Sequence, residues 1–92
     1  MNLSDAEYST IRDQAIRELA GKELSLGTAV AHRGYRLIVT LLRYDGDDAV
    51  TKDVGGQEMR FPKSEIFDVN ALKDRIFELA AAMTVSKIFL GG

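Results

Sequence analysis

The sequence predicts an α+β domain in the order helix, four-stranded antiparallel β-meander, helix, with a short C-terminal strand to follow. Three observations carry this. Apolar residues recur at helical spacing near both ends of the chain, they alternate with a period of two through the middle, and glycine-containing pairs punctuate that middle at hairpin intervals. The 92 residues of ordinary apolar content suit one domain, residues 1–92, large enough to bury about two-thirds of its unfolded surface.

Ser4-Asp5-Ala6-Glu7 opens the first helix as a capping box, in which the Ser4 hydroxyl accepts from the Glu7 amide and the Glu7 carboxylate accepts from the Ser4 amide. Leu3 and Tyr8 stand where a hydrophobic staple places them. Ile11, Ala15, Ile16, Leu19 and Ala20 extend an apolar stripe from Tyr8, opposite Arg12, Asp13, Arg17 and Glu18. Gly21 occupies the position where a left-handed residue ends a helix.

From Leu24 to His32 the period becomes two. A turn at Arg33-Gly34 then pairs His32 with Tyr35, Val30 with Leu37, Thr28 with Val39 and Leu26 with Leu41, which gathers the large aliphatics on one face. Tyr35 to Tyr44 has the densest β-branched and aromatic content and reads as the most buried strand. A second turn at Asp45-Gly46 pairs Arg43 with Asp48 and Leu41 with Val50. The third strand, Ala49 to Val54, runs to a turn at Gly55-Gly56. Beyond it Met59 and Phe61 join Val50 and Val54 on the core face, and Pro62 closes the run. Lys52 is the misfit, a cation on the apolar face, and either an edge position or a β-bulge would relieve it.

Asp68 is placed to cap the second helix, Phe67 and Leu72 to staple it, and Leu72, Ile76, Leu79, Ala80 and Met83 to give it an apolar stripe. Thr84 to Leu90 admits two continuations. Its Thr, Val, Ile and Phe favour a strand, whereas no glycine or proline separates it from the helix. The β-branched content tips the expectation toward a break near Thr84.

Few residues suggest chemistry. Without cysteine there is no disulfide, thiolate catalysis or sulfur-ligated metal. His32 is the only histidine, which leaves no imidazole pair for a metal or for shared acid–base work. Asp45-Gly46-Asp47-Asp48 lacks the spacing of a calcium loop and is better explained as a turn. Gly55-Gly56 is followed by no Lys-Ser or Lys-Thr at the required spacing and is not a phosphate loop. An enzyme is the least favoured class, and neither metal nor cofactor is expected. The amino terminus carries no basic and apolar leader pattern, and no apolar run is long enough to span a bilayer, so a soluble, cytoplasmic protein without membrane partners is expected.

The functional expectation comes from the face opposite the core. The register sends Arg36, Ile38, Thr40, Leu42 and Tyr44 there, beside Ala31, Ala29, Gly27 and Ser25, with Arg60 on the neighbouring strand. With both helices on the other face, Ile38, Leu42 and Tyr44 form an exposed ridge, and each large aliphatic left in water forgoes roughly 1.5–3 kcal/mol. A helix, or residues 85–90, folded over this face would cover it instead. The leading expectation is a protein-interaction module, an accessory subunit, inhibitor or regulator, that docks another protein or a second copy of itself through its sheet face or edge. The alternative is a nucleic-acid-binding protein using Arg36, Arg60 and Tyr44. The net charge of −2 and the interleaved Asp45, Asp47, Asp48, Asp53 and Glu58 count against it.

Overall fold

A computed structural model describes residues 3–89, except for the side chains of Tyr35, Arg36 and residues 86–89. Its elements are α1 (Asp5–Leu19), β1 (Ala29–His32), β2 (Tyr35–Asp45), β3 (Asp48–Lys52), β4 (Glu58–Pro62), a 3₁₀ turn (Lys63–Glu65), β5 (Ile66–Asp68) and α2 (Val69–Phe89). The class is α+β, and the antiparallel sheet has five strands in the order β4-β3-β2-β1-β5. The additional strand, β5, precedes α2 and pairs with β1 through Val30 and Asp68, Ala31 and Phe67, His32 and Ile66.

That strand order sets a distance problem. β4 and β5 occupy opposite edges, about 19 Å apart in a flat five-stranded sheet at about 4.8 Å per strand. Only the three residues of the 3₁₀ turn join them, and at about 2 Å per residue they span well under half that distance. The sheet therefore curls until its edges approach. His32 of β1 stacks on Phe61 of β4 with ring centroids 4.9 Å apart. The turn is strapped to a hairpin at each end: the Lys63 amide donates to the Asp47 carbonyl (2.9 Å) and the Arg33 amide to the Glu65 carbonyl (3.0 Å).

Inside the curl lie Val30, Val39, Leu41, Ala49 and Ile66, with Leu24, Leu37, Tyr44, Met59 and Phe61 packed around them. Over Ala29–His32 and the first half of β2 the expected faces hold, although the pairing differs. Leu24 to Thr28, expected to begin the first strand, is not strand, and Leu26, expected in the core opposite Leu41, is exposed. Two additional β2 residues, Arg36 and Leu37, enter between the His32–Tyr35 and Ala31–Ile38 pairs, so Val30 faces Val39. An offset of two leaves every side chain on its own face.

Past Leu41 the expected alternation fails. A bulge at Leu42 brings Arg43 opposite Val50 and Tyr44 opposite Ala49, and the hairpin loop is Gly46-Asp47, with Gly46 at φ +59°. Tyr44 is thereby moved from the outer face to the core, where its hydroxyl accepts the Leu24 amide at 2.9 Å. Ala49 and Thr51 point inward, the Thr51 hydroxyl donating to the Met59 carbonyl, while Val50 and Lys52 point out. This bulge removes Lys52 from the apolar face. Val54, expected in the core, lies fully exposed in the loop after β3, which the Asp53 side chain organises by accepting the Gln57 amide.

Both helices lie on one side of the sheet, outside the curl. α1 and α2 pack on each other, α2 on β1 and β5, and α1 on β5. Phe67, the outward residue of β5, is buried there together with Ile11, Ala15 and Ala80. The capping box forms as expected, and Ala20 and Gly21 (φ +85°) end α1. A side chain at Gly21 would also meet the Ser64 backbone at 3.5 Å. Asp68 caps α2 by accepting the amides of Asn70 and Ala71. The expected break near Thr84 and the C-terminal strand do not occur through Phe89. The helix continues, and the Thr84 hydroxyl donates to the Ala80 carbonyl one turn back. The remainder of that expectation, residues 90–92, lies outside the described residues.

Leu41 is fully buried and Leu42 half-buried at the bulge. Leu41→Ala is expected to cost about 2–5 kcal/mol in chemical denaturation. Leu41→Glu should be unfolded by circular dichroism while Leu42→Glu keeps its fold. Unfolding of both would contradict the partial exposure of Leu42.

Candidate functional site

The residues expected to form one exposed ridge are dispersed. Ile38 is 56 % exposed and Thr40 is exposed beside it, Leu42 is half-buried at the bulge, and Tyr44 is in the core. The Arg36 side chain lies outside the described residues. The correction has one cause: a single additional residue in β2 inverts the alternation between Leu41 and Arg43, so the second half of the strand exchanges faces.

Arg60 does reach the outer face, but carboxylates hold it there. Its guanidinium lies 2.8 Å from Asp45 and 3.6 Å from Asp48, and Arg43 lies 3.6 Å from Glu58. The hydrogen bond to Asp45, and then the charge of Asp45, raise the Arg60 pKa above its ordinary value. Val50, between Arg43 and Arg60 in the pairing, is fully buried at a position that their aliphatic stems can cover. The outer face of β2, β3 and β4 is thus a closed mixed-charge surface. Of the two arginines that suggested nucleic-acid binding, Arg60 has carboxylate partners within the protein.

The exposed apolar surface lies on the helices instead. Tyr8, expected on the core stripe of α1, is 47 % exposed, and Phe77 of α2 is 66 % exposed. The two flank a hollow of about 310 Å³ between the start of α1 and the middle of α2, floored by Leu3, Ile76 and Ala80 and bordered by Lys73. Val85, about two turns further along α2, is half exposed. Helical spacing assigned Tyr8 to the packed stripe because it cannot register which turns of that stripe are covered: Ile11 and Ala15 are buried and Tyr8 is not. The signal for Phe77 was present, since it lies outside the expected stripe of α2 and is too apolar for a solvated position.

The helix pair is fixed at its other side by charge. Arg75 donates from Nε to Glu18 Oε2 (2.6 Å) and from NH2 to Glu18 Oε1 (3.2 Å), and from NH1 to Glu78 (3.0 Å). Two parallel bonds to one carboxylate set the rotation of α2 against α1. His32 is similarly fixed. Its Nδ1 accepts the Gly34 amide at 3.0 Å, and its Nε2 faces Glu65 at 3.6 Å. Among the described residues no group of three or more His, Asp or Glu side chains could hold a metal ion, and no helix is long and apolar enough to cross a membrane.

Comparison with known proteins finds no match for this chain among family models, curated proteins or solved structures. Function must therefore be argued from the surfaces themselves.

The Glu18–Arg75 pair gives a pH test of how the helices are held. The Arg75 hydrogen bonds hold the Glu18 carboxyl below its usual value of 4.5. A lowered folded-state pKa means that the pair stabilises fully above 4.5 and is lost as pH falls through the lowered value. The melting-temperature difference between the parent and Arg75→Gln should therefore be constant near neutral pH and shrink below about pH 4.5. A difference unchanged to pH 2 would show that the pair contributes nothing.

Proposed function

We propose that this chain is a small protein-interaction module, an accessory subunit, inhibitor or regulator, and that it docks through the apolar face shared by α1 and α2. The observation that carries this reading is Phe77. A phenylalanine 66 % exposed beside a half-exposed tyrosine and an apolar hollow leaves unused a large part of the roughly 1.5–3 kcal/mol that burial of such a side chain gives. Aromatic anchors around a concave apolar patch with a charged border are what the centres of protein interfaces are made of.

On this reading the docking surface is on the helices rather than on the sheet. The ion pairs on the outer sheet face support the change, because a partner there would have to displace Asp45 and Asp48 from Arg60. The simplest occupant is the same face of a second copy, which a two-fold axis would bring against itself.

The test is light scattering across a concentration series. The parent chain should associate to a dimer, and Phe77→Glu and Tyr8→Glu should each be monomeric with an unchanged circular dichroism spectrum and a melting temperature within a few degrees of the monomer's own, since neither side chain is packed in the core. A parent that remains monomeric at millimolar concentration would overturn the second copy as occupant.

A further inference from the structure

On a different side of the molecule, α1, the β1–β2 hairpin, β5 and the start of α2 enclose a cleft of about 430 Å³. Its walls divide by chemistry. Ile16, Leu37, Ile38, Phe67 and Leu72 supply apolar surface, whereas Arg12 and Arg33 supply two positive charges against the single carboxylate of Asp13 among the described lining residues. We propose that this cleft binds a small amphiphilic carboxylate, with its hydrocarbon body on the apolar wall and its carboxylate on the Arg12 guanidinium.

Two observations carry the assignment. The volume falls within the range of roughly 300–1,000 Å³ typical of small-molecule sites, which are mostly apolar with a few placed polar groups. The second is the state of Arg12. Its Nε is buried and has no hydrogen-bond partner, and its NH2 lies 3.6 Å from Asp13, too far for a hydrogen bond. Buried polar groups without partners are exceptional, and each calls for an explanation. Arg75 provides the contrast within the same protein, because its Nε and NH2 together grip the Glu18 carboxylate. Arg12 has the same edge, but its NH2 has only an unbonded ion pair with Asp13 at 3.6 Å and its Nε has no partner.

The side chain of Arg12 is 41 % exposed, so its outer nitrogens reach solvent while Nε does not. A ligand carboxylate that engages the outer nitrogens draws the guanidinium outward, and Nε then completes the two-bond geometry. Asp13 pairs with Arg12 at 3.6 Å without hydrogen-bonding it, and a ligand carboxylate would compete for that cation. Arg33, on the turn after β1, adds a second positive charge that favours an anion over a neutral head group. Ile38 gains a role here: its exposed side chain is part of the apolar wall.

The test is a two-dimensional amide NMR titration with decanoate, with decanol and decylamine as controls of equal chain length. Decanoate should shift the amides of Ala31, Ile38 and Leu72 and bind at least about tenfold more tightly than decanol, as expected for a charge-assisted bidentate contact. Arg12→Gln should keep the parent spectrum and reduce decanoate to the level of decanol, while Arg17→Gln, on the exposed side of α1, should change nothing. Equal binding of decanoate and decanol to the parent chain would overturn the proposal, whether or not Arg12→Gln folds. So would shifts centred on Tyr8 and Phe77, or no shifts below the micellar concentration.

Discussion

Three residues of 3₁₀ turn between strands at opposite edges of one sheet constrain everything else in this molecule. Lys63-Ser64-Glu65 cannot bridge a flat sheet, so the sheet closes on itself around Leu41. Closure consumes the inner face entirely and leaves no room there for a helix. Both helices must then pack outside, on Phe67 of β5, and two helices resting on so narrow a strip cannot bury all the apolar side chains they carry. The exposed face of Tyr8 and Phe77 and the cleft beside Ile38 both follow from this one short connection.

The fold was legible where a local signal had only one interpretation. The capping box at Ser4 and the Asp68 cap satisfy backbone groups within a few residues, and Gly21 adopts the left-handed conformation that its position after α1 calls for. The faces of β1 and of β2 up to Leu41 were equally readable, because a period of two survives an offset of two. β5 was not. A three-residue strand is too short for any periodicity to register, and Ile66 and Phe67 look like the approach to a helix. The tail shows the opposite failure. The β-branched residues after Thr84 weakly favour a strand, but no breaker interrupts the hydrogen-bonded ladder of α2, and continuing it adds one bond per residue.

The candidate site was lost at one position. A bulge at Leu42 reverses inside and outside for the remainder of β2, and so Tyr44 belongs to the core. The clue was Lys52, a cation that the uninterrupted alternation placed on the apolar face. With the phase inverted after Leu41, Lys52 faces out, Thr51 faces in with its hydroxyl satisfied, and Arg43 and Arg60 gain carboxylate partners. An anomaly of a single residue thus marked the phase error. The interaction surface on the helices was illegible for another reason: exposure there depends on where two helices cross, and spacing along one chain does not encode it.

The most direct test of this account is a search for nuclear Overhauser contacts between the imidazole protons of His32 and the ring protons of Phe61, which meet only if the sheet is closed. The centroid separation of 4.9 Å requires strong contacts. If they are absent while the β2–β3 and β3–β4 cross-strand contacts are intact, the sheet is open, its inner face is available to the helices, and the exposure of Phe77 loses its structural reason.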